Sequence, residues 1–309
     1  MSIVVVGTVA FDKIETPFDK TDRILGGAGT YISLAASQFT DNINLVSVIG
    51  GDFPEEYLLL LRQNHINLDG VQIKPEGKSF YWSGRYHSDM NSRDTLVTEL
   101  NVLADFEPVL PESYRTPEFL VLGNLTPRVQ LRVLEQLKRR PRLIVMDTMN
   151  FWMDTAWDEL LNVISKVDVL TVNDGEARQL TGEYSLVKAA QKILTMGPKF
   201  LVIKKGEHGA LLFNKESVFY APALPLEEVF DPTGAGDTFA GGFIGHLART
   251  KDVSFDNLKN AIIYGSAMAS FTVEKFGTEG LIGLSHEMID ERIRLFVDLV
   301  QFDISLVNN

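Results

Sequence analysis

The chain has no cysteine among its 309 residues. That excludes disulfides, thiolate nucleophiles and thiolate metal sites, and suits a reducing cytoplasm. Its five histidines, His65, His87, His208, His246 and His286, show no ligand spacing, so a structural zinc site is not expected either. No apolar run approaches the length that spans a bilayer. The apolar start at residues 3–6 is too short for a signal peptide and lacks a basic flank. Positive charge is scarce: Lys+Arg 29 against Asp+Glu 41 leaves a formal charge of -12, which argues against nucleic acid or an anionic membrane as partner. Several catalytic signatures are missing too. No G-x-G-x-x-G follows a strand and no G-x-S-x-G occurs. Gly77-Lys78-Ser79 ends like a P-loop, but Gln72 stands where that motif needs glycine. The expectation is a soluble, cytoplasmic α/β protein long enough to bury one large core.

What is present is organised around residues 231–243, Asp-Pro-Thr-Gly-Ala-Gly-Asp-Thr-Phe-Ala-Gly-Gly-Phe. Pro232 sets a turn, and Phe239, Phe243 and Leu247 then recur at helical spacing. Gly234 and Gly236 leave the first backbone N–H groups of that helix bare, which makes its start an anion site. Asp237 lies in the first turn. A carboxylate there repels a phosphate unless it has a task, and taking a proton from an attacking hydroxyl is such a task. The plainer alternative is a glycine-softened helix start with Asp237 as its cap.

This segment closely resembles D-x-T-G-A-G-D-x-F, the C-terminal signature of the ribokinase-like (PfkB-type) carbohydrate kinases. The resemblance implies a doubly wound, mostly parallel α/β sheet with a small β-sheet lid. It implies one domain over residues 1–309, with the lid inserted from about 12–25 and 78–98. It also implies phosphoryl transfer from ATP, with Mg²⁺, to a hydroxyl of a sugar or nucleoside, with Asp237 as base and Gly234, Ala235 and Gly236 as anion hole.

Other segments extend the resemblance in chain order. A continuous β-branched run at residues 3–6 reads as a buried parallel strand. Asp12 follows where the family's sugar-binding Asp stands, although the Asn often found two positions earlier is Ala10. By itself Asp12 is equally a solvated turn residue. Gly26-Gly27 matches the substrate-side glycine pair. The Lys-Gly-Ala-Asn that follows in ribokinase proper reads Ala28-Gly29-Thr30-Tyr31, which leaves the substrate open. A helix is expected at residues 30–39, a strand at 44–50 and a helix at 55–65, with Asp52 at a helix start. Residues 78–98 break the βα rhythm: Phe80, Trp82, Gly84 and Tyr86 share one face of a strand that returns across Asn91-Ser92-Arg93. The aromatic stripe serves packing, a dimer contact, or stacking on a nucleobase.

Strands at residues 119–122, 143–147, 169–173 and 200–204 then alternate with helices near 127–139, 157–166, 176–180 and 186–196, the pattern of a doubly wound sheet. Asn173 and Glu176, three apart at a strand-to-helix junction, read either as a capping box or, by resemblance to the family's N-x-x-E, as Mg²⁺-positioning residues acting through water. Asp147 is a second-tier candidate, since no Arg follows it. Lys204, Gly206 and Gly209 resemble the nucleotide-side turn that meets the ATP phosphates, with a hairpin turn as the plain reading. A small-residue helix over 260–271, with Gly265, Ser266, Ala267 and Ala269, and the loop at Gly277 match the adenine side. The resemblance further allows a K⁺ site beside residues 231–233 and a homodimer joined through the lid. Lost Lys and Asn and gained aromatics favour a nucleoside over a free sugar. Two alternatives stand: a silent sugar- or nucleotide-binding regulator on the same fold, and a hydroxymethylpyrimidine- or pyridoxal-type kinase.

Overall fold

The computed structural model describes residues 2–301. Strand β1 (Ile3–Val6) is buried on every side chain, as its unbroken β-branched run requires of a central parallel strand. Strands β2 (Ala10–Glu15) and β3 (Ile24–Gly26) leave for a second sheet, and helix α1 (Ala28–Ser37) follows. The first sheet resumes with β4 (Ile43–Gly50), α2 (Glu55–Gln63) and β5 (Ile66–Lys74). Strands β6 (Tyr81–Tyr86) and β7 (Arg93–Glu99) complete the second. A regular alternation comes next: β8 (Phe119–Leu122), α3 (Pro127–Gln136), β9 (Leu143–Asp147), α4 (Asn150–Thr155) and α5 (Trp157–Ile164). It continues with β10 (Val169–Asn173), α6 (Asp174–Thr181), α7 (Leu186–Leu194) and β11 (Phe200–Lys204). The hairpin β12 (Ala210–Phe213) and β13 (Val218–Ala221) then leads to α8 (Ala235–Thr250), α9 (Phe255–Val273) and α10 (His286–Val300).

The large sheet has nine strands in the order β13-β12-β11-β10-β9-β8-β1-β4-β5, all running the same way except β12, which is antiparallel to both β11 and β13. Alternate residues of β1 feed two cores. Ile3 and Val5 pack with Leu34, Phe243 and Ile262 on the side of α1, α8 and α9, whereas Val4 and Val6 pack with Val133, Leu160 and Ala177 on the side of α3, α5 and α6. The chain order reverses at β1, between β4 and β8, and the carboxyl ends of such a sheet are where ligands bind.

The second sheet is the lid, four strands in the order β3-β2-β6-β7. It is mixed, since β2 and β6 run parallel. Its boundaries differ from the expected ones in one instructive place. Arg93 belongs to β7, opposite Tyr86, not to the turn. The turn closes earlier because Asp89 accepts from the Asn91 and Ser92 N–H groups (3.0 and 2.8 Å) and from the Ser92 hydroxyl (2.7 Å). Helix α2 also stops short of residue 65, because His65 lies in the left-handed region at φ 59. Asp52 does not start that helix. Its carboxylate accepts from Ser79 N–H (2.7 Å) and the Ser79 hydroxyl (2.8 Å), tethering the approach to the lid.

Candidate active site

Helix α8 opens with Gly234 at φ 74, a conformation few residues but glycine adopt, so the chain turns sharply from Asp231 into the helix. Asp231 is buried and braces this turn: its oxygens accept from Thr233 N–H (2.8 Å) and Gly277 N–H (2.9 Å). Asp237 stands in the first turn of α8, and no side-chain hydrogen bond holds its carboxylate among the described residues. Burial, and then the neighbouring Asp147, raise its pKa to about 7 against the opposing charges of Lys204 and Arg93.

Three carboxylates join it. Asp147 ends β9 and forms an ion pair with Lys204 at the end of β11, 2.7 Å apart. Both side chains are largely buried, so the pair sits in low dielectric and is tightly held. Burial opposes the Lys204 charge, but Asp147 and Glu176 keep its pKa above the usual lysine value. The ammonium also lies against Gly236, where a Cβ would stand 3.0 Å from Nζ. A cation therefore faces the bare helix start, and Asp147, ranked second from sequence, holds it there.

Asn173 and Glu176 form the capping box in full: Glu176 N–H donates to Asn173 Oδ1 and Asn173 N–H to Glu176 Oε2, both at 2.7 Å. Burial, followed by Asp147, raises the Glu176 pKa to about 7. Among the described residues no three acidic or histidine side chains converge as a ready-made metal cage. One Glu176 oxygen is left outside the box, which fits a hydrated Mg²⁺ held through water better than a stripped ion.

Asp12, at the end of the lid strand β2 nearest α1, is 5% exposed, and burial and then Asp231 raise its pKa to about 7. Gly26 and Gly27 are required by the protein's own packing. A Cβ on Gly26 would stand 1.9 Å from the Asp12 carboxylate, and Gly27 has φ 94 beside the Thr8 carbonyl. Tyr31 is the residue that motif matching passed over. Its ring lies on Gly234, whose missing Cβ would come within 2.5 Å, and its buried hydroxyl has no hydrogen-bond partner. The charges of Asp12, Asp231 and Asp237 all reach that hydroxyl. The only sequence signal was its departure from Lys-Gly-Ala-Asn.

A cleft of about 470 Å³ opens between Lys204, Gly206, Gly209, Gly236, Ser266 and Ala269. Of the small residues of α9, Ser266 and Ala269 face it, whereas Gly265 packs on Phe239 and Ala267 is buried. Gly277 does not line it. Its N–H is taken by Asp231 and its backbone rests against Ile24, so it braces the signature turn instead. The lid reaches both sides. Thr233 donates to the Tyr86 hydroxyl (3.2 Å), and Asn91 donates to Glu207 (3.2 Å) beside Gly206. The aromatic stripe is thus divided: Tyr86 is buried against the site, whereas the Trp82 ring lies over Gly84 under the Arg93 guanidinium, 5.5 Å away.

Comparison with known proteins gives the family and the fold. The family model for the pfkB family carbohydrate kinases matches residues 2–282. A cytidine kinase of Thermococcus kodakarensis is 32% identical over 281 residues, covering 90% of this chain and 98% of its own. A nucleoside kinase of Methanothermobacter thermautotrophicus is 24% identical over 306 residues, covering 90% and 91%. Among solved structures, the nucleoside kinase of Methanocaldococcus jannaschii superposes with a TM-score of 0.76 at 21% identity, over 95% of this chain and 98% of that one. The ribokinase of Thermotoga maritima superposes with a TM-score of 0.75 at 20% identity, over 95% and 99%. The family match over residues 2–282 and the 32% identity to a relative covered almost end to end show that the chain belongs to the pfkB family of carbohydrate kinases and is a phosphotransferase.

Proposed function

We propose that this enzyme transfers the γ-phosphoryl group of MgATP to a hydroxyl of a ribonucleoside, with cytidine the first compound to test. The observation that carries the reading is the free Asp237 carboxylate beside a glycine-opened helix start, where the Ala235 N–H donates to the Pro232 carbonyl (3.2 Å) and the Gly234 and Gly236 N–H groups have no partner among the described residues, faced by a held lysine. A base needs its lone pairs unengaged, and an anion hole needs its N–H groups unobstructed. The nucleoside preference rests on the likeness to a cytidine kinase and on an acceptor side without the Lys and Asn of ribokinase proper.

In this reading Asp237 accepts the hydroxyl proton as the new P–O bond forms and the bond to the ADP leaving oxygen breaks. The amides of Gly234, Ala235 and Gly236, with Lys204, receive the charge spreading over the transferring group. Asp12 and Tyr31 orient the acceptor. Asn173 and Glu176 would hold hydrated Mg²⁺, which neutralises phosphate charge when bound. ATP lies along Lys204, Gly206 and Gly209, with its base toward Ser266 and Ala269. Both Asp231 oxygens are already engaged by N–H groups, so a K⁺ beside residues 231–233 would depend chiefly on carbonyl oxygens.

The test is ADP release from MgATP across free sugars and ribonucleosides, with Asp237→Asn alongside. Turnover on a nucleoside that falls about 10³-fold in the variant, with MgATP affinity kept, supports the proposal. Undiminished turnover in Asp237→Asn removes the base.

A further inference from the structure

Gln130 is a polar side chain in a core position. It shares the buried stripe of helix α3 with Pro127 and Val133, and it is 1% exposed. Its Nε2 donates to two backbone carbonyls, those of Gly123 (3.0 Å) and Asp147 (3.2 Å). Pairing of β8 with β9 ends at Leu122 and Met146, so these carbonyls are the first beyond it on each strand. Both can only accept, which fixes the amide with its nitrogen toward them. The amide oxygen, Oε1, is buried without a partner among the described residues. A buried oxygen left unsatisfied costs stability, so this amide is there for the bonds it makes rather than for its packing.

What the amide holds is the peptide of Asp147, and the rest of that residue is held as well. The Met146 carbonyl just before it accepts from the hydroxyl of Thr171 on β10 (3.2 Å), a fully buried side chain. Asp147 Oδ1 accepts from the Thr148 N–H (2.8 Å). Oδ2 remains, and it pairs with Lys204 at 2.7 Å. The Lys204 ammonium in turn lies against Gly236 in the first turn of α8. A continuous line of contacts therefore runs from α3, on one face of the sheet, past the carboxyl ends of β8, β9 and β11, to the opening of α8 on the other face. A lysine is a point charge on a flexible stem, so it takes its position from its partner, and here that partner is fixed from the far side of the sheet.

We propose that Gln130 is a positioning residue for nucleotide binding: by fastening the Asp147 peptide to the end of β8, it sets where Lys204 presents its charge to the phosphates. Gln130 itself bonds neither the lysine nor the helix start. Thr171 serves the same end from β10. This rests on the reading of Lys204 as a phosphate-binding residue. The demand it adds is that a core amide on the far face of the sheet governs nucleotide affinity, and does so through the lysine alone.

The experiment is a mutant cycle read by calorimetry, with the non-hydrolysable MgAMPPNP as probe. Gln130→Met keeps the length of the side chain and removes both of its bonds. Its Kd for MgAMPPNP should rise about tenfold, a coupling of the size found between members of one hydrogen-bond network. In the Asp147→Asn/Lys204→Met background the same substitution should change the Kd by less than about twofold, because the lysine it acts through is gone. Val133→Ala, one turn further along α3, is the stability control. It opens a cavity in the same core and lowers the melting temperature, yet should leave the Kd within about twofold of wild type. Thr171→Val is the milder test where Gln130→Met fails to fold: the Kd should rise about threefold, again only with Lys204 present. An equal rise in both backgrounds, or one matched by Val133→Ala, makes Gln130 purely structural and overturns the proposal, as does an unchanged Kd in Gln130→Met. If wild type binds MgAMPPNP but phosphorylates nothing, the kinase reading falls, and the cycle still decides the role of Gln130. No binding by wild type removes both.

Discussion

Lys204 Nζ lies 2.7 Å from Asp147 Oδ2, joining the carboxyl ends of two strands that are not neighbours in the sheet, with β10 between them. The pair is largely buried, so each charge depends on the other. Lys204→Met should leave Asp147 uncompensated beside Glu176 and Asp237. The expected result is MgATP affinity lower by at least about tenfold together with a lower melting temperature, since breaking a buried pair commonly costs several kcal/mol. The double variant with Asp147→Asn should recover melting temperature but not nucleotide affinity. Recovery of both would make the pair purely structural.

The rate should depend on the ionisation of Asp237. Its pKa is raised to about 7, and only the ionised form accepts a proton. With Asp12 and Glu176 also near 7, the observed value belongs to the coupled cluster. Expected is kcat/KM falling as pH drops through about 7. A profile flat from pH 5 to 8 would show that no carboxylate of this cluster limits the rate.

The same shifts predict a stability trend of the opposite sense. Unfolded, these carboxyls titrate near 3.8 to 4.5, whereas folded they hold their protons to about 7. A raised carboxyl pKa favours the fold fully below the unfolded value, and that contribution is lost as pH rises through the folded value. The ligand-free melting temperature should therefore decline between about pH 4 and 7 more steeply in wild type than in Asp237→Asn. Equal slopes in a thermal-shift series would contradict the shift assigned to Asp237.

Tyr31→Phe tests the acceptor side. Removing one buried, unpartnered hydroxyl should leave stability unchanged or slightly higher, because a desolvation penalty goes with it. If the hydroxyl bonds substrate, the acceptor KM should rise about tenfold while the KM for MgATP stays fixed, consistent with a net hydrogen bond worth about 1 kcal/mol or more. An unchanged acceptor KM would make the hydroxyl a spectator.

Much of the fold was readable without coordinates. Strands β1, β8, β9, β10 and β11 fall on the expected residues because buried parallel strands need unbroken apolar runs, and such runs are visible in one dimension. Edge strand β5 escaped notice, since its mixed burial leaves no clean period. Helix α10 is mostly exposed, and the Ser285 cap at its start is the signal the sequence carried for it. At the site, the motifs supplied Asp12, Asn173, Glu176, Lys204 and the helix start at Gly234, because glycine-exposed amides and adjacent carboxylates carry a local chemical reason for their spacing.

What amino-acid order determined by itself was local: which segments bury both faces, where a helix must begin with bare amides, and which carboxylate stands in its first turn. The tertiary structure decided which distant groups share one low-dielectric space. Asp147 met Lys204, Tyr31 settled on Gly234, Gly277 turned to brace Asp231, and Arg93 arrived on a strand of the lid. Those relations depend on strand order, register and the absence of single side chains at contact points. Spacing along a chain encodes none of these, because electrostatic and packing energies act through space.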